Sequence, residues 1–242
     1  MRTAIIIPNG GMDEVTTTLR DHIHRNVKCD YDIFIVNNPG NVDADYKTQF
    51  SYPIGMTAAI LEGMNGVDKF TLESGREYFS YWIITTSIEF LTEEDYLTPM
   101  LDYMVENPKV AMVSPATDDM AWDCMRKRSG KRFRRVWGVD NVCVLIRKDW
   151  FDGVGRYDPE FTMGWGPTLE ASWQARRDGM EVVVYDGLLI KWTDGIAHTM
   201  GRRALSREEH NNAAAEEMRR VFQKKYGDDW EKKIHFEYME GL

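Results

Sequence analysis

Residues 79–90, FSYWIITTSIEF, decide the predicted fold class of this chain. Their apolar, β-branched first part is typical of a central strand that is buried on both faces. The polar residues Thr85, Thr86, Ser87 and Glu89 follow at the point where this strand should end. Because ligands of open α/β sheets bind outside the carboxyl ends of the strands, these side chains are candidates for a binding site. An ordinary strand without chemistry fits the same pattern equally well.

The segments around this strand predict strands and helices in alternation. Residues 3–7 and 31–36 are apolar runs that suit buried strands, and residues 13–27 between them carry apolar side chains at helical spacing. Two strands joined through a helix run parallel, because the helix returns the chain to the same end of the sheet. We therefore expect an α/β, Rossmann-like fold with a mixed, mostly parallel central sheet flanked by helices. An amphipathic C-terminal helix is predicted over residues 206–226.

Length and composition indicate one protein domain without a membrane span. The chain has 242 residues, of which 43% are hydrophobic, and this is enough for a single large core. No apolar run approaches the ~20 residues of a membrane-spanning helix, and the N-terminus is too quickly interrupted for a signal peptide, so we expect a cytoplasmic protein. A net charge of -9 argues against a protein whose whole surface follows nucleic acid.

The turn after the first predicted strand contains Pro8, Asn9, Gly10 and Gly11. Glycines allow backbone amides to approach an anion at the start of a helix, so this turn is a candidate cradle for a phosphate group. The segment has neither the P-loop pattern nor the dinucleotide-binding fingerprint. Taken alone, it is better explained as a plain strand-to-helix turn in which glycine supplies conformational freedom.

Positive charge is concentrated in residues 126–135, within an otherwise acidic chain. The segment contains seven cations, namely Arg126, Lys127, Arg128, Lys131, Arg132, Arg134 and Arg135. Because like charges repel, we expect this loop to be mobile unless an anion orders it. It is either a solvated surface or a docking site for a polyanionic acceptor such as nucleic acid or an acidic glycan. The docking interpretation makes Arg132, Arg134 and Arg135 candidate acceptor-binding residues.

The order of these motifs resembles that of the GT-A glycosyltransferases. The first half combines an IIIP strand, a second strand that ends in V-N-N-P-G, small residues at every fourth position from Gly55, and the Tyr81 strand. The stronger match is VDNVCVLIRKDWFDGVGRYDPEFTMGWGPTLEASWQARRDGMEVVVYDG at residues 139–187. It is similar to the family's strand ending in Ile-Arg, its V-G-x-[FY]-D segment and its S-W-x-A-R-R-x-G helix. The resemblance covers residues 3–200 and implies a single GT-A-like domain over residues 1–242.

The resemblance also implies how this domain is divided and which residues bind the substrates. Residues 3–115 would form the nucleotide-binding half, residues 116–200 the acceptor and catalytic half, and residues 201–242 a C-terminal helical extension. The implied donor is a UDP- or GDP-sugar, and the implied acceptor is a hydroxyl group of a glycan or of another molecule. The implied donor-binding residues are Pro8, Asn9, Gly10, Asn37, Asn38, Gly55, Thr86, Ser87 and Glu89. The implied acceptor-binding residues are Arg132, Arg134, Arg135, Trp165 and Gly166.

The family's D-x-D motif, which holds a divalent cation on the donor diphosphate, is degenerate here. Residues 86–89 are Thr-Ser-Ile-Glu, so that Glu89 alone remains as a hard oxygen ligand for Mn²⁺ or Mg²⁺. His198 lies where some GT-A enzymes place a late histidine on the metal or the diphosphate. The resemblance therefore implies a metal site at Glu89 and His198 with fewer carboxylates than in the family. The family's acidic nucleoside contact is Asn37 here, whose amide can still contact a base or a ribose.

The family's E-D-x-D motif at the catalytic helix becomes Pro-Thr-Leu-Glu at residues 167–170. In inverting members a carboxylate at this helix start removes the proton of the acceptor hydroxyl while that oxygen attacks the anomeric carbon of the sugar. Glu170 can serve as this base if the first helical turn directs it to the pocket, and Asp140 is the next candidate. The alternative is that Glu170 only complements the helix dipole and that the site is inactive.

Three functions remain open on the sequence alone. An inverting glycosyltransferase is favoured by the resemblance. A catalytically silent GT-A-like protein that binds a sugar nucleotide or a partner is suggested by the degenerate acidic motifs. A nucleotidyl transferase uses a similar half-sheet, but it normally has an opening loop rich in glycine and lysine, which this sequence lacks.

Overall fold

The computed structural model describes residues 1–118, 122–129, 132–193 and 206–236. Its strands are β1 (Arg2–Asn9), β2 (Asp30–Asn37), β3 (Tyr46–Gln49), β4 (Ser80–Ile84), β5 (Ile88–Phe90), β6 (Val110–Thr117), β7 (Phe133–Arg135), β8 (Cys143–Arg147) and β9 (Glu181–Trp192). Its helices are α1 (Asp13–Asn26), α2 (Met56–Ser74), α3 (Thr98–Glu106), α4 (Lys148–Gly153), α5 (Pro167–Arg177) and α6 (Arg207–Tyr226), with a 3-10 turn at Asp123–Met125 and a π-helical turn at Lys232–Phe236.

All strands in the described residues join one sheet, in the order β3-β2-β1-β4-β8-β6-β9-β5, with β7 paired to β9. The strands β1 to β4 run parallel to their neighbours in this first half of the sheet. β8 lies antiparallel between β4 and β6, and β6 then runs parallel to β9. β5 and β7 both run antiparallel to β9. The prediction of a mixed central sheet flanked by helices is therefore confirmed, with parallel pairing throughout its first half.

Alternating side chains of β1 explain why this strand lies in the middle of the protein. Ile5 and Ile7 belong to the core on one face of the sheet, together with Leu19 of α1. Ile6 belongs to the core on the opposite face, where α2 packs closely, because a Cβ atom on Gly63 would lie only 2.4 Å from Cγ2 of Ile6. A strand buried on both faces has to be apolar at every position, as its sequence is.

The C-terminal helix α6 packs against α5 and forms a third, smaller core with it. This core consists of Phe161, Leu169, Trp173, Met218, Val221, Phe222, Trp230 and Ile234. α6 begins with a capping box, in which the Ser206 side chain accepts from the backbone N–H of Glu209 and the Glu209 side chain accepts from that of Ser206. None of the described helices is both long and apolar enough to cross a bilayer.

Candidate active site

A cleft of about 240 Å³ opens at the carboxyl end of β4, between the start of α5 and the first turns of α6. Four parts of the chain supply its polar and aromatic lining: Thr85 and Ser87 after β4, Asp140 and Asn141 before β8, Trp165 and Gly166 before α5, and His210 and Asn211 on α6. Trp122 and Trp192 add two further indole rings. The cleft thus lies where an α/β sheet of this topology is expected to bind a ligand.

The loop that carries Trp165 is held close to the start of α2 by glycines. Gly55 precedes α2 with φ +88°, and a Cβ atom there would lie 2.8 Å from the carbonyl oxygen of Thr162. Gly166 has φ +97°, and a Cβ atom there would lie 2.6 Å from the ring of Phe161. Only glycine adopts both positions without strain: Gly55 lets the start of α2 approach the loop, and Gly166 lets the loop pack on Phe161 beside the cleft. Gly55 therefore has a packing role in addition to its predicted place near the donor.

Asp140 places a carboxyl group directly in this cleft. Trp122 donates a hydrogen bond from Nε1 to Oδ2 of Asp140 over 3.1 Å. Burial raises the pKa of Asp140 above its ordinary value, although hydrogen bonds from the Asn141 backbone and from Trp122 oppose this rise. A base whose pKa lies closer to neutral accepts a proton from a hydroxyl group more effectively. Asp140 is therefore a candidate general base that lies in the cleft.

Glu170 lies in the first turn of α5 but is turned towards α6, and it is not part of the cleft lining. It is 3% exposed. Its Oε1 lies 2.5 Å from Nζ of Lys225 and accepts a hydrogen bond from the hydroxyl group of Tyr226. These two partners link α5 to α6, and a buried ion pair of this kind is costly to break by removing one partner. Of the two candidate bases, Asp140 lines the cleft and Glu170 does not.

The asparagines predicted to bind the donor hold the first turns of the sheet together. Asn9 is fully buried, accepts from the backbone N–H of Met12 and donates to Asp13 and Asn37. The Asn37 amide is also fully buried, and it both donates to and accepts from the backbone of Val42. Neither side chain presents a free polar atom to a ligand, so the expected contact of Asn37 with a nucleoside gains no support.

Other predicted donor-binding residues lie around the same carboxyl edge. Pro8 is the penultimate residue of β1, and Gly10 follows this strand with partial exposure. Asn38 is nearly buried and uses its Oδ1 to accept a hydrogen bond from the backbone N–H of Ile54 over 2.7 Å. Thr86 donates towards the sulfur atom of Met12 at 3.6 Å, which ties the β4 end to the β1 turn.

The described residues around Ser87 do not fit a divalent cation. The end of β4 carries only hydroxyl groups, and Thr85 Oγ1 lies 3.2 Å from Ser87 Oγ. Glu89 is exposed on β5 and lines a different depression. Within residues 1–118, 122–129, 132–193 and 206–236, no three His, Cys, Asp or Glu side chains form a group suitable for a metal. His198, the second predicted ligand, lies outside the described residues.

The second depression, of about 890 Å³, lies between α1 and β5. It has an acidic lining that includes Glu14, Glu89 and Glu93, and it also contains His22. The imidazole of His22 stacks on Phe90 with 4.7 Å between ring centroids, and its Nδ1 lies 3.6 Å from Glu93. Burial lowers the pKa of His22 below its ordinary value, although Glu93 opposes this effect.

Because His22 is buried in its neutral form, we expect the protein to lose stability in mild acid. The contribution of neutral His22 is fully present above the ordinary histidine pKa of about 6.5 and is lost as the pH falls through the lower pKa of the folded state. We expect the free energy of unfolding in urea to decrease less between about pH 7.5 and pH 5 in His22→Gln than in the wild type. His24→Gln, at an exposed position of the same helix, serves as the control and should keep the wild-type decrease. Equal decreases in all three proteins would show that His22 does not contribute.

Three arginines of the basic segment, Arg132, Arg134 and Arg135, have acidic, aromatic or backbone partners, and residues 130 and 131 lie outside the described part of the chain. The expected mobility of the loop stays a prediction. Nε of Arg134 lies 2.7 Å from Asp186, and the same guanidinium donates to the carbonyl oxygen of Cys124 over 2.5 Å. Arg135 forms an ion pair with Glu181 at 2.5 Å. Arg132 donates to the hydroxyl group of Tyr185 over 2.9 Å. These partners neutralise the repulsion assumed from the sequence, because β9 brings them alongside β7.

The same three arginines lie away from the cleft. They flank or form β7, which pairs with the first part of β9, and none of them is among the cleft residues. The prediction that Arg132, Arg134 and Arg135 bind the acceptor therefore gains no support, and neither does nucleic acid as the acceptor. By contrast, Trp165 and Gly166 do line the cleft. Sequence reasoning missed His210 and Asn211, because nothing in the pattern of α6 indicates which of its polar residues meet the cleft.

The sheet order and the cleft at the end of β4 define a protein with the GT-A fold. Solved glycosyltransferases of this fold match nearly the whole chain. GalNAc-T7, solved with UDP, GalNAc and Mn²⁺, is similar with a TM-score of 0.61 and 12% identity, over 100% of this chain and 56% of that chain. The mannosyltransferase PcManGT from Pyrobaculum calidifontis, solved with GDP-Man and Mn²⁺, has a TM-score of 0.58 and 12% identity, over 89% of this chain and 64% of that chain.

A third similar structure is S. aureus TarS 1-349 in complex with UDP, with a TM-score of 0.60 and 10% identity over 99% of this chain and 77% of that chain. The chain thus spans little more than half the length of GalNAc-T7 and slightly less than two thirds of the mannosyltransferase. No protein-family model and no curated protein matches the sequence. At these identities the likeness establishes the fold alone.

Proposed function

We propose that this protein is a glycosyltransferase that moves a sugar from a nucleotide-sugar donor to a hydroxyl acceptor. The observation that carries the proposal is the Asp140 carboxyl group, which lies in a tryptophan-lined cleft beside the end of β4 in a GT-A fold. The fold supports a UDP- or GDP-sugar as donor, because the similar solved structures contain UDP or GDP-Man. A cleft with a few polar groups among apolar side chains is the usual form of a small-molecule site.

In the proposed reaction, Asp140 acts as the general base. Its carboxylate takes the proton of the acceptor hydroxyl group while the acceptor oxygen forms a bond to the anomeric carbon of the donor sugar. The bond between this carbon and the diphosphate oxygen breaks, and the nucleoside diphosphate leaves with both electrons. A single displacement of this kind inverts the anomeric configuration. The hydroxyl groups of Thr85 and Ser87 lie at the β4 side of the cleft, where the sugar of the donor would meet the acceptor.

We place the donor along the carboxyl edge of the first half of the sheet. Its nucleoside diphosphate would pass Gly10 and Asn38 after β1 and β2, and the sugar would reach Thr86 and Ser87 after β4. The backbone N–H groups of Gly11 and Met12 in the turn after β1 donate to Oδ1 of Asn9, so phosphate oxygens would bind to the N–H groups of the first turn of α1, which have no acceptor within the helix. The test is to incubate the purified protein with UDP-, GDP- and CMP-sugars and to measure the release of the nucleotide. At least one UDP- or GDP-sugar should be consumed, and no release from any donor would contradict the proposal.

Donor binding is expected to depend only weakly on a divalent cation. Thr86, Ser87 and Ile88 stand where the D-x-D motif would supply carboxylates, and Glu89 lies in the other depression. Calorimetric titrations of UDP and GDP in EDTA and in Mn²⁺ should give dissociation constants that agree within about tenfold. A gain of more than about 100-fold in Mn²⁺, equivalent to about 2.7 kcal/mol, would contradict this prediction and make Glu89 and His198 the first residues to test as ligands.

A catalytically silent protein with the same fold is the second candidate function. The hydroxyl groups that replace the D-x-D carboxylates and the engagement of Glu170 with Lys225 favour it. The two candidates differ in a simple result, because a silent protein would bind UDP or GDP in the calorimeter and release no nucleotide from any sugar donor.

A further inference from the structure

Among the described residues, one polar atom on the α6 side of the cleft has no hydrogen-bond partner. Asn211 lines the cleft, and its buried Oδ1 accepts no hydrogen bond from the described part of the chain. A buried carbonyl oxygen without a donor is costly, by about 1–3 kcal/mol, and such groups are rare in proteins. An O–H group of a ligand in the cleft would satisfy this atom.

Indole rings form much of the remaining lining. Trp122, Trp165 and Trp192 all line the cleft, together with Asp140 and Asn211. Indole faces bind apolar C–H surfaces, whereas the carboxyl and amide groups bind hydroxyl groups. A pyranose ring combines these two features, because its faces carry C–H bonds and its edge carries hydroxyl groups. A volume of about 240 Å³ suits one ring rather than an extended chain.

We propose that this cleft is a subsite for one uncharged pyranose ring, which packs against Trp165 and donates a hydroxyl hydrogen bond to Oδ1 of Asn211. This inference deepens the proposed function, since such a ring would be the acceptor whose hydroxyl group faces Asp140. The acceptor is accordingly a neutral glycoside. An acidic glycan would bring a negative charge next to the Asp140 carboxylate in a poorly solvated cleft, where repulsion between like charges is strong.

α6 also holds the aromatic wall of this subsite in position. Oε1 of Glu217 accepts the backbone N–H of Met163 over 2.8 Å, and Oε2 accepts the hydroxyl group of Thr162. Both contacts fall on the loop that carries Trp165. The same helix therefore supplies Asn211 and fixes the loop opposite it, so that the ring enters a site that is already formed.

The direct test is the binding of simple glycosides to the protein without any donor. Methyl pyranosides of glucose, galactose and mannose and the matching methyl glucuronide would be titrated while tryptophan fluorescence is measured, with saturation-transfer NMR as a second readout. At least one neutral pyranoside should bind with a dissociation constant of about 1 mM, and the glucuronide should bind more weakly than the glucoside.

Two variants and a matched control locate the binding. Asn211→Leu should weaken binding about fivefold, because one hydrogen bond to the ring is lost. Trp165→Leu should weaken it at least as much, and Trp165→Tyr should restore part of the loss because it keeps an aromatic face. Asn212→Leu makes the same change at the next residue of α6, which is exposed, and should leave binding unchanged.

The results show separately whether this inference fails and whether the proposed function fails. If neutral pyranosides bind with this pattern but no donor is ever consumed, the subsite stands and the transferase proposal fails. If donors are consumed but no pyranoside binds up to about 50 mM, the subsite inference is overturned. Equal effects of Asn211→Leu and Asn212→Leu, tighter binding of the glucuronide, or acceptance of a serine peptide in place of any glycoside would overturn it as well.

Discussion

Asp140→Asn should lower kcat by about 10²–10⁴-fold while the dissociation constant for the donor nucleotide changes little. Asparagine keeps the shape of the side chain and an oxygen that accepts from Trp122, but it does not take up a proton. Nucleotide release in the presence of an acceptor gives kcat, and calorimetry gives the affinity. Asp102→Asn, at an exposed position of α3, makes the same chemical change away from the cleft and should retain the wild-type kcat.

The same substitution should not destabilise the fold. Burial raises the pKa of Asp140, so the ionised carboxyl group is less stable in the folded protein than in the unfolded chain. Removal of the charge at pH 7 should therefore leave the melting temperature unchanged or raise it. In the wild type, kcat should fall as the pH decreases through this raised pKa, because protonation removes the base. A variant that retains wild-type turnover would contradict the assignment of Asp140 as the base, and a variant that unfolds would contradict the expected stability.

Glu170→Ala should lower the free energy of unfolding by about 2–3 kcal/mol. The substitution removes a buried partner of Lys225 and leaves the Tyr226 hydroxyl group without its acceptor. The loss should be smaller than the ~3–5 kcal/mol of a fully buried pair, because Lys225 is partly exposed and retains Asp158 at 2.7 Å. Urea denaturation measures the change, and kcat per folded molecule should stay within about tenfold of the wild type.

A second ion pair on the same helix provides the control for Glu170→Ala. Glu160 pairs with Lys224 of α6 at 2.7 Å, but both side chains are largely exposed. Glu160→Ala should therefore cost only about 0–1 kcal/mol. If the two variants lose the same stability, burial of the Glu170 pair has no special effect. If Glu170→Ala keeps its stability and loses more than about 100-fold in kcat, Glu170 is the base and the assignment of Asp140 is wrong.

The fold could be predicted from the sequence because local patterns determine it. The apolar residues 79–84 identify a strand that is buried on both faces, and the polar residues that follow identify the edge at which the cleft opens. Gly63 likewise indicates a close approach, and a Cβ atom there would meet Ile6. Such signals depend on the hydrophobic periodicity of strands and helices, which can be recognised from neighbouring positions in the sequence.

The details of the site depend on contacts between residues that are far apart in the sequence. Helical spacing places Glu170 in the first turn of α5, but the position of α6 decides that Lys225 becomes its partner. The side-chain amide of Asn9 donates a hydrogen bond to Asn37, which is 28 residues away. Arg134 pairs with Asp186, and the two are 52 residues apart. Because these pairings follow from tertiary packing, side chains that appear free in the sequence are already occupied in the protein.

The central claim is that Asp140 removes a proton from an acceptor hydroxyl group while a sugar leaves its nucleotide. Proton NMR of the anomeric signals tests it most directly, with a UDP- or GDP-sugar that the protein consumes and a methyl pyranoside as the acceptor. The account predicts that the donor signal is replaced by that of a new glycoside of inverted configuration with wild-type protein, and that the rate falls at least about 100-fold with Asp140→Asn. A glycoside of retained configuration, the same rate with both proteins, or no transfer by the wild type would contradict it.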